Sequence, residues 1–219
     1  MITRKFVPWL VGISAATATF SLLSVIPAHA DTFVPLPGGQ VNHTLGDGTV
    51  VTIRLVGESA NISPSMGSSP VHRNAWVSGR AEVDVSGPVE SGSIQPGYIV
   101  GCQVNISGGG VEGGASGKSD WEGNASGGVT SGANLSLGPG QATSFMILDR
   151  EMADDYGGES HSSSNSFKGT NGSVQWTDST IGLNGCGGYA QARAFVRVKV
   201  RTETIKTIVY LWGEPFSLG

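Results

Sequence analysis

Hydrophobic and polar residues alternate along much of the chain with a period of two. The clearest case is Ala192 to Arg201, where Ala and Val alternate with Arg, Phe and Lys. This period predicts a β-strand that has one face in a core and the other in water. The same pattern predicts further strands at Val50–Val56, Ala75–Val85, Tyr98–Ser107, Ser144–Leu148 and Thr204–Trp212.

Turn-forming residues separate these segments, as in Gly46-Asp47-Gly48 and Gly138-Pro139-Gly140. Because no segment keeps a helical period, the sequence predicts an all-β fold, an antiparallel β-sandwich or barrel. The composition agrees: 34 of 219 residues are glycine without a Gly-X-Y repeat and 14% are charged, which excludes collagen and long-helix proteins.

Residues 1–30 have the parts of a secretory signal peptide. Arg4 and Lys5 precede an apolar run that ends in Ala28-His29-Ala30, so cleavage is expected between Ala30 and Asp31. A permanent membrane anchor is the alternative, because the run is long enough to span a bilayer. Cleavage leaves 189 residues with a net charge of −6, which argues against nucleic acid as a partner.

Export also decides how the two cysteines are interpreted. An even number of cysteines in an oxidising compartment usually forms disulfides, and Cys102–Cys186 is the single pairing available. Closing this 84-residue loop would stabilise the fold by about 4 kcal/mol on the chain-entropy model. A metal site or a catalytic thiol would need partner residues that the sequence does not offer.

A glycine- and serine-rich segment interrupts the strands. Residues 108–137 are predicted as an insertion into a sandwich domain formed by residues 31–107 and 138–219. Alternation of small apolar and polar residues after Asn124 is compatible with a long β-hairpin, and the composition is equally compatible with a flexible linker.

A second polar tract, residues 156–172, is predicted as a surface loop. Its acidic approach could suggest calcium, but the spacing does not match an EF-hand loop, so a solvated charged loop is expected. The acidic residues are Asp149, Glu151, Asp154, Asp155 and Glu159.

Sequence motifs for catalysis are missing. The chain has neither an H-E-x-x-H pair nor a G-x-S-x-G elbow, and its G-x-G-x-x-G match at residues 108–113 has no helix after it. We therefore expect no enzymatic activity, no cofactor and no metal.

Six short motifs, in this order and spacing, resemble the MspA-type porin family of mycobacteria. The two cysteines are similar to those of its nocardial and rhodococcal branch, in which Gly-Tyr-x-x-Gly-Cys precedes a distant Gly-Cys. The matching segments are residues 31–37, 73–79, 97–102, 167–169, 185–188 and 212–216.

The resemblance implies a homo-octameric goblet in the mycolic-acid outer membrane. Each subunit would give a sandwich to the rim and one hairpin to a shared barrel, through which small hydrophilic solutes and cations diffuse passively. Acidic residues near the hairpin tip would form the constriction, and Asp120 and Glu122 occupy that position here. A ring of carboxylates attracts cations and repels anions.

Two alternatives stay open. The insertion is shorter than in the archetypal porins, and Trp121 is its single aromatic residue, although membrane barrels usually carry aromatic girdles. The protein could therefore be a secreted or cell-envelope sandwich without channel activity. A carbohydrate-binding sandwich is a third possibility, suggested only by surface Trp and Tyr candidates.

Overall fold

A computed structural model describes residues 31–64, 71–104, 106, 118–119, 125–126, 133–136, 140–153, 155–156 and 159–219. The predicted signal peptide, residues 1–30 with Ala30, lies outside these described residues. So does most of the predicted insertion, including Asp120 and Glu122.

Every regular element within the described residues is a β-strand, as the alternation predicts. The strands are β1 (Thr32–Pro35), β2 (Gly39–Thr44), β3 (Val50–Pro64), β4 (Arg73–Val85), β5 (Ser91–Cys102), β6 (Lys118–Ser119), β7 (Ala125–Ser126), β8 (Ala133–Ser136), β9 (Ala142–Met146), β10 (Arg150–Ala153), β11 (Glu159–Ser162), β12 (Asn165–Phe167), β13 (Asn171–Asn184), β14 (Ala190–Arg201) and β15 (Lys206–Ser217).

Two sheets form a β-sandwich. The first has the order β1-β3-β4-β13-β8, and β2 also pairs with β3. The second has the order β12-β5-β14-β15, and β9 also pairs with β5. Neighbouring strands are antiparallel except β8, which runs parallel to β13. The predicted all-β, antiparallel sandwich is confirmed.

The core lies between the inward faces of the two sheets. On β14 the predicted apolar face is buried from Ala192 to Val200, and it faces alternate residues of β4 and β3 such as Val77 and Ile53. Most predicted strands are found with shifted ends: β3 extends eight residues beyond Val56, and β5 begins at Ser91 rather than Tyr98.

The tract 156–172, predicted as a surface loop, contains β11, β12 and the start of β13. The reason is Phe167, whose buried ring occupies the space next to two glycines, one in each sheet. A Cβ built on Gly92 would overlap the ring, and one on Gly172 would lie 2.6 Å from its Cγ. Gly172, one of the glycines that suggest a loop in the sequence, therefore leaves space for an aromatic side chain.

This packing gives a first prediction. Gly92→Ala should lower the free energy of unfolding by about 1–3 kcal/mol, because the added methyl group forces the Phe167 ring to move. Gly101→Ala on the same strand is the matched control, since its nearest neighbours would be 3.7 Å away. Urea unfolding of both variants measures this loss. Equal midpoints for the two variants would contradict the packing of Phe167 against Gly92.

Candidate functional site

The two ends of the predicted insertion meet at one corner of the sandwich. β5 ends at Cys102, whose sulfur is bonded to Cys186 in the turn between β13 and β14, with the Cα atoms 5.9 Å apart. The predicted disulfide is thus present, and both cysteines are buried.

Backbone hydrogen bonds reinforce this corner on both sides of the bridge. The Gln103 N–H donates to the Tyr189 carbonyl at 2.9 Å, and the Ile106 N–H donates to the Gly185 carbonyl at 2.8 Å. On the returning chain, the Gly140 N–H donates to the Cys102 carbonyl at 3.1 Å. The chain on either side of residues 103–139 therefore meets at this corner; we call residues 103–139 the excursion.

Three short strands lie within that excursion. β6 and β7 pair antiparallel, with Lys118 opposite Ser126 and Ser119 opposite Ala125. β8 lies inside the range predicted as the insertion, 108–137, and pairs with β13 of the first sheet. The position of Asp120 and Glu122 as constriction residues stays a prediction. Asp31, the predicted first residue after cleavage, is exposed before β1 and accepts a hydrogen bond from the Asn61 amide at 3.3 Å.

A basic and aromatic surface covers the outer side of β14 and β15; the sequence predicted its β14 half as a face in water but did not predict the aromatic cluster. We call it the outer face; it consists of Arg193, Phe195, Arg197, Lys199, Lys206, Ile208, Tyr210 and Trp212. Three of its rings form one cluster: the centroids of Phe195 and Trp212 are 5.7 Å apart, and those of Tyr210 and Trp212 are 5.9 Å apart. Alternation of Ile208, Tyr210 and Trp212 with buried residues was the available signal.

Phe195 makes the centre of this face apolar, although the neighbouring charges suggest a solvated surface. Its ring lies on the outer face but is only 4% exposed, because Tyr210 and Trp212 flank it. Beneath it lies Gly97, where a Cβ would be 2.5 Å from the ring's Cζ. The three rings therefore form a rigid apolar island, with Tyr210 43% and Trp212 41% exposed.

Cations surround this island. Arg193 lies over the Trp212 ring, with its Cζ 5.4 Å from the centroid, and donates from Nε to the Gly213 carbonyl at 2.8 Å. Partial burial, together with the charges of Arg197 and Lys206, lowers the pKa of Lys199. The two like charges thus add to burial in disfavouring the charged form of Lys199.

A buried carboxyl group lies between the sheets on the other side of β15. Glu58 follows Gly57, whose φ of 62° allows the bulge that turns the Glu58 side chain inward. The side chain is 2% exposed, and neither carboxyl oxygen has a hydrogen-bond partner among the described residues. A Cβ on Gly213 would lie 2.9 Å from Oε2, so the glycine leaves room for the carboxyl group.

Burial raises the pKa of Glu58 to about 7, and the nearby charge of Glu214 contributes in the same direction. Glu58 in turn raises the pKa of buried Tyr98, after burial itself. The Tyr98 hydroxyl accepts a hydrogen bond from Trp176 Nε1 at 3.2 Å. The sandwich therefore holds a carboxyl group that is neutral at mildly acidic pH.

The pKa of Glu58 gives a second prediction. The unfolded chain releases this proton near the ordinary value of 4.5 but the folded chain holds it to about 7, so stability should fall as pH rises between these values. The loss should be on the order of 2–3 kcal/mol. Glu58→Gln should flatten this slope in urea unfolding across pH 4.5–8. Glu203→Gln, an exposed control, should leave the slope intact, and an equal slope in Glu58→Gln would refute the assignment.

An open groove of about 390 Å³ lies beside Leu148, Asp149, Arg150 and Trp176. Its charged groups already have partners: Asp149 pairs with His161 Nδ1 at 2.7 Å, and Arg150 donates to Asn165 Oδ1 at 2.9 Å. The groove therefore has no unpaired acid and base set against each other.

Within the described part of the chain, no group of three His, Cys, Asp or Glu residues is placed to hold a metal ion. The same residues contain no helix long and apolar enough to cross a membrane. The candidate functional features are thus the disulfide-linked corner and the outer face.

A β-sandwich with a long excursion anchored at one disulfide-linked corner is the class of protein that the fold defines. A family model described as MspA matches residues 47–217, which is more than half of the sequence. The chain therefore belongs to the MspA family, as its motifs indicated.

Two further comparisons were made. No curated protein matches the chain. Among solved structures, the crystal structure of the putative ApaA protein from Bordetella pertussis is 11% identical, with a TM-score of 0.28 over 77% of this chain and 91% of that one. Similarity at this level is too low to indicate a shared fold or function.

The disulfide gives a third prediction. Replacing both cysteines, Cys102→Ala with Cys186→Ala, should lower the free energy of unfolding by about 2–5 kcal/mol, because the unfolded chain gains the freedom of an open 84-residue loop. Reducing the unmodified protein is the matched comparison and should give a similar loss. Unchanged urea midpoints in both would show that the corner is held by its backbone hydrogen bonds alone.

Proposed function

We propose that this protein is a porin, exported to the outer membrane or cell envelope, and that its subunits assemble into a water-filled channel for small hydrophilic solutes and cations. The observation that carries the proposal is the match to the MspA family over residues 47–217, which includes both cysteines and the excursion between them. In this proposal the protein is not an enzyme, and the octamer and the mycolate membrane follow from the family resemblance.

The corner geometry supports a projecting hairpin. A segment that lines a shared barrel must leave the rim and return to it at neighbouring points, and Cys102 and Gly140, which flank residues 103–139, are joined by a backbone hydrogen bond of 3.1 Å. The antiparallel pairing of β6 with β7 is the pairing that a hairpin requires. Asp120 and Glu122 lie in the five-residue connection between these two strands, which is where a constriction at the tip would place them.

The same arrangement explains what the sandwich contributes. A glycine-rich hairpin specifies its own strand register weakly, so the positions at which its two strands begin must be fixed by the sandwich. The Cys102–Cys186 bridge and the hydrogen bonds around it would fix those positions. The rim would then set the register from which the channel strands extend.

Channel activity gives a fourth prediction. The oxidised protein that begins at Asp31, added in detergent to a planar lipid bilayer, should produce discrete conductance steps. Asp120→Asn with Glu122→Gln should move the reversal potential in a salt gradient towards zero, because a carboxylate ring attracts cations. Glu203→Gln, an exposed acid elsewhere, should leave the potential unchanged.

Two results would contradict parts of the proposal. A silent bilayer with folded, oxidised protein would favour a sandwich without channel activity, an alternative that the small number of aromatic residues in the insertion supports. Conductance steps with an unchanged reversal potential in the double variant would keep the channel but remove Asp120 and Glu122 from its constriction.

A further inference from the structure

The outer face lies towards the β15 edge of the second sheet, and a charged hairpin lies at the opposite edge. β5 pairs with β14 along one side and with β9 and β12 along the opposite side. Since β15 lies beyond β14, the outer face and the segment between β9 and β12 are on opposite sides of the sheet. That segment contains the β10–β11 hairpin.

The hairpin has the opposite charge to the outer face. Residues 149–161 contain five carboxylates and one arginine. Glu151 and Asp155 are exposed, and Met152, 47% exposed, adds apolar surface beside them. A protein whose opposite sides are complementary in charge and in apolar character can bind copies of itself head to tail.

We propose that the outer face of one subunit binds the β10–β11 hairpin of a second copy of this chain. Lys199 and Lys206 contact the carboxylates of Glu151 and Asp155, and the ring edges of Tyr210 and Trp212 contact Met152. This inference rests on the proposed assembly, and it names the surfaces that form it. Contacts between unlike surfaces close into a ring when the rotation per subunit allows closure, and a channel requires such a ring.

Ring geometry favours a protein partner over a sugar on this surface. A carbohydrate ring stacks on an open aromatic face, but Tyr210 stacks against Trp212 at 11° between planes. Arg193 lies opposite Pro215 in the strand register. It therefore covers Trp212 from the C-terminal side, whereas Tyr210 stacks on it from the N-terminal side. The exposed parts are therefore ring edges and cations, which suit carboxylates and a thioether.

Charge reversal tests the contact on the full protein in non-ionic detergent. Lys199→Glu with Lys206→Glu reverses the charge of the two proposed contact lysines, and Glu151→Lys with Asp155→Lys reverses the charge of the two carboxylates that they contact. Each double variant should raise the concentration for half-assembly by about tenfold or more, as measured by analytical ultracentrifugation. Lys168→Glu, an exposed lysine after β12, should assemble like the unmodified protein.

Mixing the two double variants is the decisive step. The unmodified hairpin of the first variant can bind the unmodified face of the second. The new lysines on the hairpin of the second variant can pair with the new glutamates on the face of the first. The mixture should therefore assemble while each variant alone does not. Assembly also shows that both variants are folded.

Two outcomes would overturn the inference: each variant assembling normally by itself, or an equimolar mixture of two folded variants that stays dissociated. Thermal unfolding with the disulfide intact establishes folding in the second case. Both outcomes are separate from the porin proposal, because the unmodified protein can still give conductance steps through an assembly built on other surfaces.

Discussion

Aromatic rings that occupy the space above glycines hold the two sheets in their observed shape. Phe167 lies over Gly92 and Gly172, Trp176 lies over Gly79, and Phe195 lies over Gly97. In each case a Cβ on the glycine would come too close to the ring, so ring and glycine can only be exchanged together. A chain with so many glycines keeps a dense sandwich because large rings fill the volume that the missing side chains leave.

This constraint decides what the sequence could reveal. Alternation on β14 predicted its buried face correctly, because alanine and valine there alternate strictly with arginine, lysine and Phe195. β13 was missed, since Gly172 and Gly182 break its pattern and its apolar residues are spread over 14 positions. A period of two can be read from a sequence only where both faces of a strand carry side chains. A glycine that leaves space for a ring has no side chain, so the pattern is lost at that position.

Of the candidate site, some parts were predictable from the sequence and others were not. The Cys102–Cys186 pair followed from compartment and number alone, because two cysteines allow one pairing. The buried position of Glu58 did not, since it depends on a bulge in β3 and on a glycine 155 positions later in the sequence. Long-range pairs of this kind leave no local pattern, whereas motif order and spacing, which are properties of the whole sequence, identified the family.

The distribution of charge has the same long-range origin. The chain from Asp31 onward is acidic overall, yet the outer face collects cations from two neighbouring strands. Arg201 pairs with Glu90 at 2.9 Å, whereas partial burial, with the charges of Arg197 and Lys206, lowers the pKa of Lys199. Within a single subunit the members of this cluster repel each other, although Arg193 also stacks on Trp212 and donates a hydrogen bond to Gly213. In the assembly proposed above, the carboxylates of a second subunit would offset that repulsion, so the same charges that repel each other in one subunit would attract its neighbour.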